Sequence, residues 1–196
     1  MDTRPAAPVM LWEQQMLERA IIAGFGGQGL MFMGKLTAKM MMDEGLSVTY
    51  FPSYGAEVRG GTAKCHVIVS SDEIASPMVE QADTLIIMNQ PSWERYKVQL
   101  APDGVGLINA SLVQPTDPPP AKRLVEVPVT QMASDMGDVR CANMVMMGVY
   151  NVLREFVPFD TLIAAMQQAF GERKSGIWDL NAQAIEAGRE FAKANL

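Results

Sequence analysis

The residues with the clearest capacity for chemistry lie in a glycine-rich loop after the apolar run Ala20-Ile21-Ile22-Ala23. The loop fits the pattern G-x-G-x-x-G at a point where a strand is expected to pass into a helix. Glycines there allow a tight turn, let a ligand approach the backbone, and direct free N–H groups toward an anion. The candidate residues of this loop are Gly24, Gly26, Gly27, Gln28 and Gly29.

A nicotinamide dinucleotide site is one interpretation of this loop. Such a site also needs an acid about 20 positions further on, at the end of the second strand, to bind the ribose hydroxyls. Here the second strand is expected to end at Phe51 and Pro52, and the next acid, Glu57, lies in another loop. An independent NAD(P)-dependent dehydrogenase of the Rossmann type therefore stays an alternative, behind a loop that serves packing or another anionic ligand.

Two further loops carry more polar chemistry than a plain connector needs. The second loop of the chain spans residues 52–62, and the third loop spans residues 88–92, after a buried strand. If the strands are parallel, all three loops leave carboxyl ends, where open α/β sheets gather ligands. One edge of the sheet is therefore predicted to be the functional edge. The candidate residues on these two loops are Tyr54, Glu57, Arg59, Gly60, Gly61 and Asn89.

The supply of metal ligands and nucleophiles is small. The sequence contains two cysteines, Cys65 and Cys141, and one histidine, His66. An iron–sulfur cluster takes about four thiolates, and a structural zinc takes about four Cys or His ligands. His66 lies in a run typical of a strand, where a lone histidine is more often packed than catalytic. We therefore expect no metal site and no catalytic residue in this chain.

Composition excludes several classes of protein. Hydrophobic residues make up 48% and charged residues 19%, as in ordinary folded domains. The net charge of −6, without a basic run, argues against a nucleic-acid binder. No apolar run reaches the roughly 20 residues of a membrane span, and no secretory signal opens the chain, so we expect a cytoplasmic protein. The 16 methionines are expected partly on exposed faces, around residues 143–150 and the second loop.

Alternating elements predict an α/β domain with a mostly parallel or mixed sheet between two helical layers, a three-layer α/β/α arrangement. Residues 1–18 are expected to form an N-terminal extension, with a short helix over 11–19, and residues 19–196 a single domain. The C-terminal third is predicted to be helical. The predicted strands cover residues 20–23, 47–51, 64–70, 84–88, 106–109 and 123–127, and the predicted helices cover 30–41, 92–100, 143–156, 159–170 and 180–194.

The order of these loops resembles the gamma subunit of 2-oxoacid:ferredoxin oxidoreductases. The similarity covers residues 20–170, and the segment YFPSYGAEVRGG is far more specific than the glycine loop. It is most similar to the branch acting on 2-oxoglutarate, with the 2-ketoisovalerate and pyruvate branches next. The matching pieces are GFGGQGL at 24–30, TYFPSYGAEVRGGTAKCHVIVS at 49–70, ADTLIIMNQPS at 82–92, GLINASLV at 106–113, and CANMVMMG at 141–148, which includes the candidate Asn143.

The resemblance implies a division of labour among subunits. Thiamine diphosphate and iron–sulfur clusters are expected on partner chains, namely alpha, beta and ferredoxin-like delta subunits. The implied reaction converts a 2-oxoacid and coenzyme A to an acyl-CoA and passes two electrons to ferredoxin. The gamma chain is expected to assemble on the catalytic subunits, to be able to contact coenzyme A through its loops, and to be inactive alone. A purely structural interaction module is the third interpretation.

Overall fold

The computed structural model describes residues 16–54, 62–171 and 175–196, and these form an α/β domain, as predicted. The strands are β1 (Leu17–Phe25), β2 (Ser47–Tyr54), β3 (Thr62–Ser70), β4 (Ala82–Ile87), β5 (Leu100–Asn109) and β6 (Arg123–Val127). The helices are α1 (Leu30–Asp43), α2 (Gln90–Tyr96), α3 (Val129–Asp135), α4 (Ala142–Arg154), α5 (Phe159–Phe170) and α6 (Ser175–Asn195). No helix in these described ranges is long and apolar enough to cross a bilayer.

The sheet is mixed, with the strand order β2-β3-β1-β4-β5-β6. The pairs β1–β4, β4–β5 and β5–β6 are parallel. Strand β3 is antiparallel to both β1 and β2, so β2 runs in the same direction as β1. The carboxyl ends of β1, β2, β4 and β5 therefore meet at one edge of the sheet, together with the amino end of β3. We call this edge the carboxyl edge.

One face of the sheet is covered by a deep helical layer. Helix α4 lies in the interior, buried at every position from Ala142 to Asn151, because α6 packs on it from outside. The two helices touch at a pair of glycines, Gly148 and Gly188. A Cβ atom on Gly188 would overlap the carbonyl oxygen of Val145. Glycine is therefore required where the two helix backbones meet.

The burial of α4 also decides where its methionines lie. Met144, Met146 and Met147 are fully buried in the main hydrophobic core. The expectation of exposed methionines on this helix is wrong, because α6 occupies the face that would otherwise be open. Among the described residues, Met42 and Met78 are the methionines with large exposed fractions, 59% and 50%.

The opposite face of the sheet has a thinner cover. Helix α2 places Trp93 and Tyr96 over a second hydrophobic core, with Trp93 completely buried. Val79 and Val113, from the connections before β4 and after β5, complete this cover. The two faces thus make a layered α/β/α arrangement in which the layers differ in depth.

Several element boundaries differ from the prediction, among them the end of β2 at Tyr54 and not at 51, and one helix was not predicted. Strand β5 begins at Leu100 and not at 106, because a bulge lies between the Ala82–Leu100 and Thr84–Val105 pairings. Helix α3 was not predicted, since its seven residues are too few to show a helical period. Strand β1 begins at Leu17, so the predicted helix over 11–19 is wrong at residues 17–19. Residues 1–15 lie outside the described residues, and the domain boundary at 18 stays a prediction.

Candidate functional site at the carboxyl edge

The glycine loop joins β1 to α1 in a conformation that requires glycine at two points. Gly27 has φ of 101° and Gly29 has φ of 74°, both in the left-handed region that other residues rarely adopt. Gly29 is the N-cap of α1, and no side chain caps the helix there. The N–H groups of the first turn have no intrahelical acceptor, so they and the helix dipole favour an anion at this point.

Gln28 ties this loop to the end of β4. Its Oε1 accepts a hydrogen bond of 2.7 Å from the amide of Phe25, and its Nε2 donates to the carbonyl of Met88 at 3.1 Å. A Cβ atom on Gly24 would lie 2.5 Å from Oε1 of Gln28, so Gly24 leaves room for this side chain. Gln28 thus orients the loop from inside the protein and is a positioning residue.

Asn89 and Asn143 hold the same region from two other directions. The Oδ1 atom of Asn89 accepts from the amide of Ser92 at 2.9 Å and caps α2. The Nδ2 atom of Asn89 also donates to Gln28, at 3.4 Å. Asn143, in the first turn of α4, donates to the carbonyl of Gly29 at 3.2 Å. Both asparagines are buried, so the structure places them behind the loop and not on its ligand-facing side.

Asn109, at the end of β5, is a fourth member of this group that the candidate list missed. It is completely buried. Its Nδ2 donates to the carbonyl of Met88 at 3.2 Å and to Oγ1 of Thr130 at 2.8 Å. A polar residue directly after a buried apolar run is the signal that would have found it.

Tyr54 meets the glycine loop at a cavity of about 300 Å³. The Tyr54 side chain is 70% exposed at the end of β2. The walls of the cavity are formed by Phe25, Gly26, Gly27, Gly29, Leu30, Met31, Tyr54 and Ala63. The structure thus brings the first loop and the start of the second together. Glu57, Arg59, Gly60 and Gly61 lie outside the described residues.

The described cysteines and the histidine near this edge are not arranged for acid–base or nucleophilic chemistry. His66 is buried, its Nδ1 accepts from the amide of Val79 at 3.0 Å, and burial lowers its pKa to about 4. Burial raises the pKa of the Cys65 thiol to about 12, and it also raises that of Cys141. In the described part of the chain, no group of three or more His, Cys, Asp or Glu could hold a metal ion.

The strand order also bears on the dinucleotide interpretation. In a dinucleotide-binding fold the second strand lies parallel and directly beside the first, so that its terminal acid reaches the ribose. Here β3 separates β2 from β1. The end of β2 is therefore one strand too far away, and it carries Pro52, Ser53 and Tyr54 in place of an acid.

The comparisons with known proteins agree with one another. The family model for pyruvate ferredoxin/flavodoxin oxidoreductase matches residues 19–191. The chain is 35% identical to the ketoisovalerate oxidoreductase subunit VorA of Methanothermobacter thermautotrophicus, over 91% of its own length and 37% of that protein. It is 32% identical to the 2-oxoglutarate synthase subunit KorC of the same organism, over 87% of its own length and 92% of that protein.

Two solved structures have the same fold. One is the gamma subunit of a keto/oxoacid ferredoxin oxidoreductase from Geobacter sulfurreducens, with TM-score 0.75 and 28% identity over 90% of this chain and 99% of that one. The other is a 2-oxoglutarate:ferredoxin oxidoreductase from Magnetococcus marinus with 2-oxoglutarate, coenzyme A and succinyl-CoA bound. It has TM-score 0.85 and 25% identity over 93% of this chain and 32% of that one. The chain thus spans about a third of the longer proteins it matches.

Proposed function

The chain belongs to the pyruvate ferredoxin/flavodoxin oxidoreductase family, and we propose that it works as the gamma-type subunit of a 2-oxoacid:ferredoxin oxidoreductase. The observation that carries this proposal is the match to relatives of the same length, which are themselves subunits, over nearly all of the chain. The overall reaction is the oxidative decarboxylation of a 2-oxoacid. Coenzyme A takes the acyl group, carbon dioxide is released, and two electrons reduce ferredoxin.

Alpha, beta and ferredoxin-like delta chains supply the cofactors in this proposal. Thiamine diphosphate would supply the electron sink for decarboxylation, and iron–sulfur clusters would supply the path for the electrons, both on partner chains. The residues of this chain do not fit a cluster, because a four-thiolate site cannot be built from Cys65 and Cys141, the two cysteines of the sequence. The gamma chain contributes surface for assembly and the loops of the carboxyl edge.

We propose 2-oxoglutarate as the substrate, because relatives of 28% and 32% identity, which the chain covers over 96% and 92% of their length, are 2-oxoglutarate synthase subunits. Ketoisovalerate is the second candidate, because the VorA proteins have a higher identity, 35% and 34%, although the chain spans only 37% of their length. The ratio of kcat/KM for these two oxoacids in the assembled enzyme separates the candidates. A higher value for ketoisovalerate would overturn the assignment.

The carboxyl edge has the chemistry to contact coenzyme A. Free N–H groups at the start of α1, next to Gly27 and Gly29, suit a pyrophosphate, which an acidic chain would otherwise repel. The exposed ring of Tyr54 lies at the same cavity and offers a face for the adenine. Arg59, on the second loop, can add a bidentate phosphate contact.

The subunit role is tested by co-expressing this chain with alpha, beta and delta chains of a 2-oxoacid:ferredoxin oxidoreductase. We expect a stable complex that reduces a viologen acceptor only when 2-oxoacid and coenzyme A are both present. The isolated chain is the matched control, and we expect it to show no turnover. Turnover by the isolated chain, or an active complex that forms equally well without it, would refute the proposal.

The coenzyme A contact is tested separately in the assembled enzyme. Replacing Arg59 by Ala removes a charge-assisted bond worth roughly 1.5 kcal/mol, and should raise KM for coenzyme A about tenfold. Tyr54→Leu should raise the same constant and leave KM for the oxoacid unchanged. If Arg59 instead pairs with Glu57 and only stiffens the loop, KM for coenzyme A stays the same in Arg59→Ala. If the complex dissociates in this variant, Arg59 belongs to the subunit interface. Unchanged kinetics in both variants would favour a purely structural module.

A further inference from the structure

Two cations converge on one aromatic ring at the carboxyl edge. Nζ of Lys64, on β3, lies 4.8 Å from the centre of the Tyr96 ring. Cζ of Arg95, on α2, lies 5.5 Å from the same centre. A hydrogen bond of 3.3 Å from Nη1 of Arg95 to Oγ1 of Thr62 fixes the guanidinium against the start of β3. An ammonium, a guanidinium and a hydroxyl are thus held together by two different elements.

This cationic pair has no acidic partner in the described part of the chain. Seven other cations form ion pairs with carboxylates there, as expected for a protein with 22 acidic and 16 basic residues. Lys64 and Arg95 form none with any carboxylate of the described residues. Burial lowers the pKa of Lys64, and the neighbouring charge of Arg95 lowers it further. The fold therefore keeps two like charges close together, which costs free energy unless an anion joins them.

The pair lies apart from the cavity of the glycine loop. Ala63 lines that cavity, on the side of α1. Successive side chains of a strand point to opposite faces, so Lys64 points to the face covered by α2. Tyr96 is 6% exposed, so its ring lies beneath the two cations and is not accessible for stacking with a ligand.

We propose that Lys64, Arg95 and the hydroxyl of Thr62 form a binding site for a phosphate dianion, either free phosphate or a phosphate monoester of a larger ligand. A dianion neutralises both cations at once, which a single carboxylate does not. The guanidinium gives a planar pair of donors, and the ammonium gives a compact charge, a combination that suits phosphate oxygens. The alternative is that both cations only cover the Tyr96 ring through cation–π contacts, which requires no ligand.

Titration of the full-length chain with inorganic phosphate, followed by NMR of the Lys64 and Arg95 side chains, tests the site. We expect saturable shifts that weaken roughly tenfold in Lys64→Gln and in Arg95→Gln, as for loss of one charge-assisted bond. Arg95 is exposed, so its replacement leaves the core intact, and Arg95→Lys should restore part of the affinity. Lys122→Gln, at an exposed lysine next to β6, is the matched control and should bind like the parent. Equal affinity in all variants, or no saturation, would overturn the site.

The source of the phosphate is distinguished with coenzyme A and dephospho-coenzyme A, which differ by one phosphate monoester. Tighter binding of coenzyme A that disappears in Arg95→Gln assigns the site to that monoester. Equal binding of the two compounds, with phosphate binding intact, assigns it to free phosphate, and this outcome does not depend on the proposed coenzyme A contact. If Lys64→Gln or Arg95→Gln no longer assembles with the partner subunits but binds phosphate like the parent, the proposal is rejected in favour of a protein interface.

Discussion

Asn143, in the first turn of α4, donates a hydrogen bond to the carbonyl of Gly29, 114 positions earlier in the chain. Gly29 is the N-cap of α1, so the carbonyl that starts the helix is held by the C-terminal helical layer. A Cβ atom on Gly29 would overlap the Asn143 amide, which shows how closely the two residues approach. The conformation of the glycine loop therefore depends on the docking of α4.

Replacing Asn143 by Ala should loosen this loop. One buried hydrogen bond is lost, so we expect the free energy of unfolding to fall by about 1 kcal/mol. Amide hydrogen exchange should also become faster at the first turn of α1, because the Gly29 carbonyl keeps its bond from the amide of Met33 but loses its tie to α4. Asn195→Ala is the control, since the Asn195 side chain is exposed and bonds only the carbonyl of Phe191 in its own helix. Unchanged exchange at α1 in Asn143→Ala would contradict the coupling.

Gly29→Ala should destabilise the chain for two separable reasons. The left-handed φ costs a non-glycine residue about 1–2 kcal/mol, and the new methyl group meets Asn143. The second cost disappears when Asn143 is also Ala, whereas the first remains. In a double-mutant cycle the two substitutions should therefore be non-additive, with the double variant more stable than the sum of the singles. Strict additivity in chemical denaturation would show that the two residues do not interact.

The parts of this site that could be predicted from the sequence are those formed by residues close together in the chain. The motif Gly24–Gly29 and the polar turns at Tyr54 and Asn89 are local patterns, and their meeting at one edge follows from the strand directions. Asn143 was a candidate through its motif, although its contact with Gly29 carries no local signal. The pairing of Lys64 with Arg95 depends on the docking of α2, and nothing in either local sequence indicates it.

The fold shows the same division between local and long-range information. Buried strands such as β1 and β4 are apolar runs and were found from the sequence. The early start of β5 was missed, because Pro102 and Gly104 resemble a turn and in fact lie in a bulge. The burial of α4 was missed because it depends on Gly188, forty positions beyond Gly148, which looks like an ordinary helix position in the sequence.

The buried carboxyl of Glu18 makes stability depend on pH in a defined direction. Glu18 bonds Tyr150 and Arg154, both at 3.0 Å, yet burial outweighs these partners and raises its pKa above the ordinary 4.5. A raised pKa favours the protonated carboxyl in the folded state. The stability that Glu18 contributes is therefore present below the unfolded value and is lost as the pH rises through the folded pKa.

The free energy of unfolding of Glu18→Gln should therefore increase relative to that of the parent chain as the pH rises from 4 to 7. The measurement is the difference in free energy of unfolding between the two proteins at several pH values in that interval. Glu80→Gln, at an exposed glutamate, should show no such trend. If the parent chain instead becomes more stable relative to Glu18→Gln with rising pH, the ion pair with Arg154 outweighs the effect of burial on the pKa of Glu18.

Gly188→Ala should push helices α4 and α6 apart and destabilise the domain. The added methyl group meets the carbonyl of Val145, which is backbone and cannot rotate away. We expect a loss of about 1–3 kcal/mol, the usual range for overpacking, although alanine favours a helix more than glycine does. Gln183→Ala, at an exposed position of the same helix, is the control. Equal melting temperatures for the parent and Gly188→Ala would refute the close contact of α4 and α6.

NAD should bind this chain weakly or not at all, although its first loop fits the dinucleotide pattern. The pyrophosphate could lie at the start of α1, but the ribose would find no acid, because β2 ends at Tyr54 and is separated from β1 by β3. A lost hydrogen bond to a charged acceptor is worth roughly 1.5–3 kcal/mol, or about ten- to a hundredfold in affinity. Calorimetric titration with NAD, beside an NAD-dependent dehydrogenase as a positive control, should give no saturation at micromolar concentrations. A micromolar dissociation constant for NAD would reverse the ranking and make an independent dehydrogenase the better interpretation.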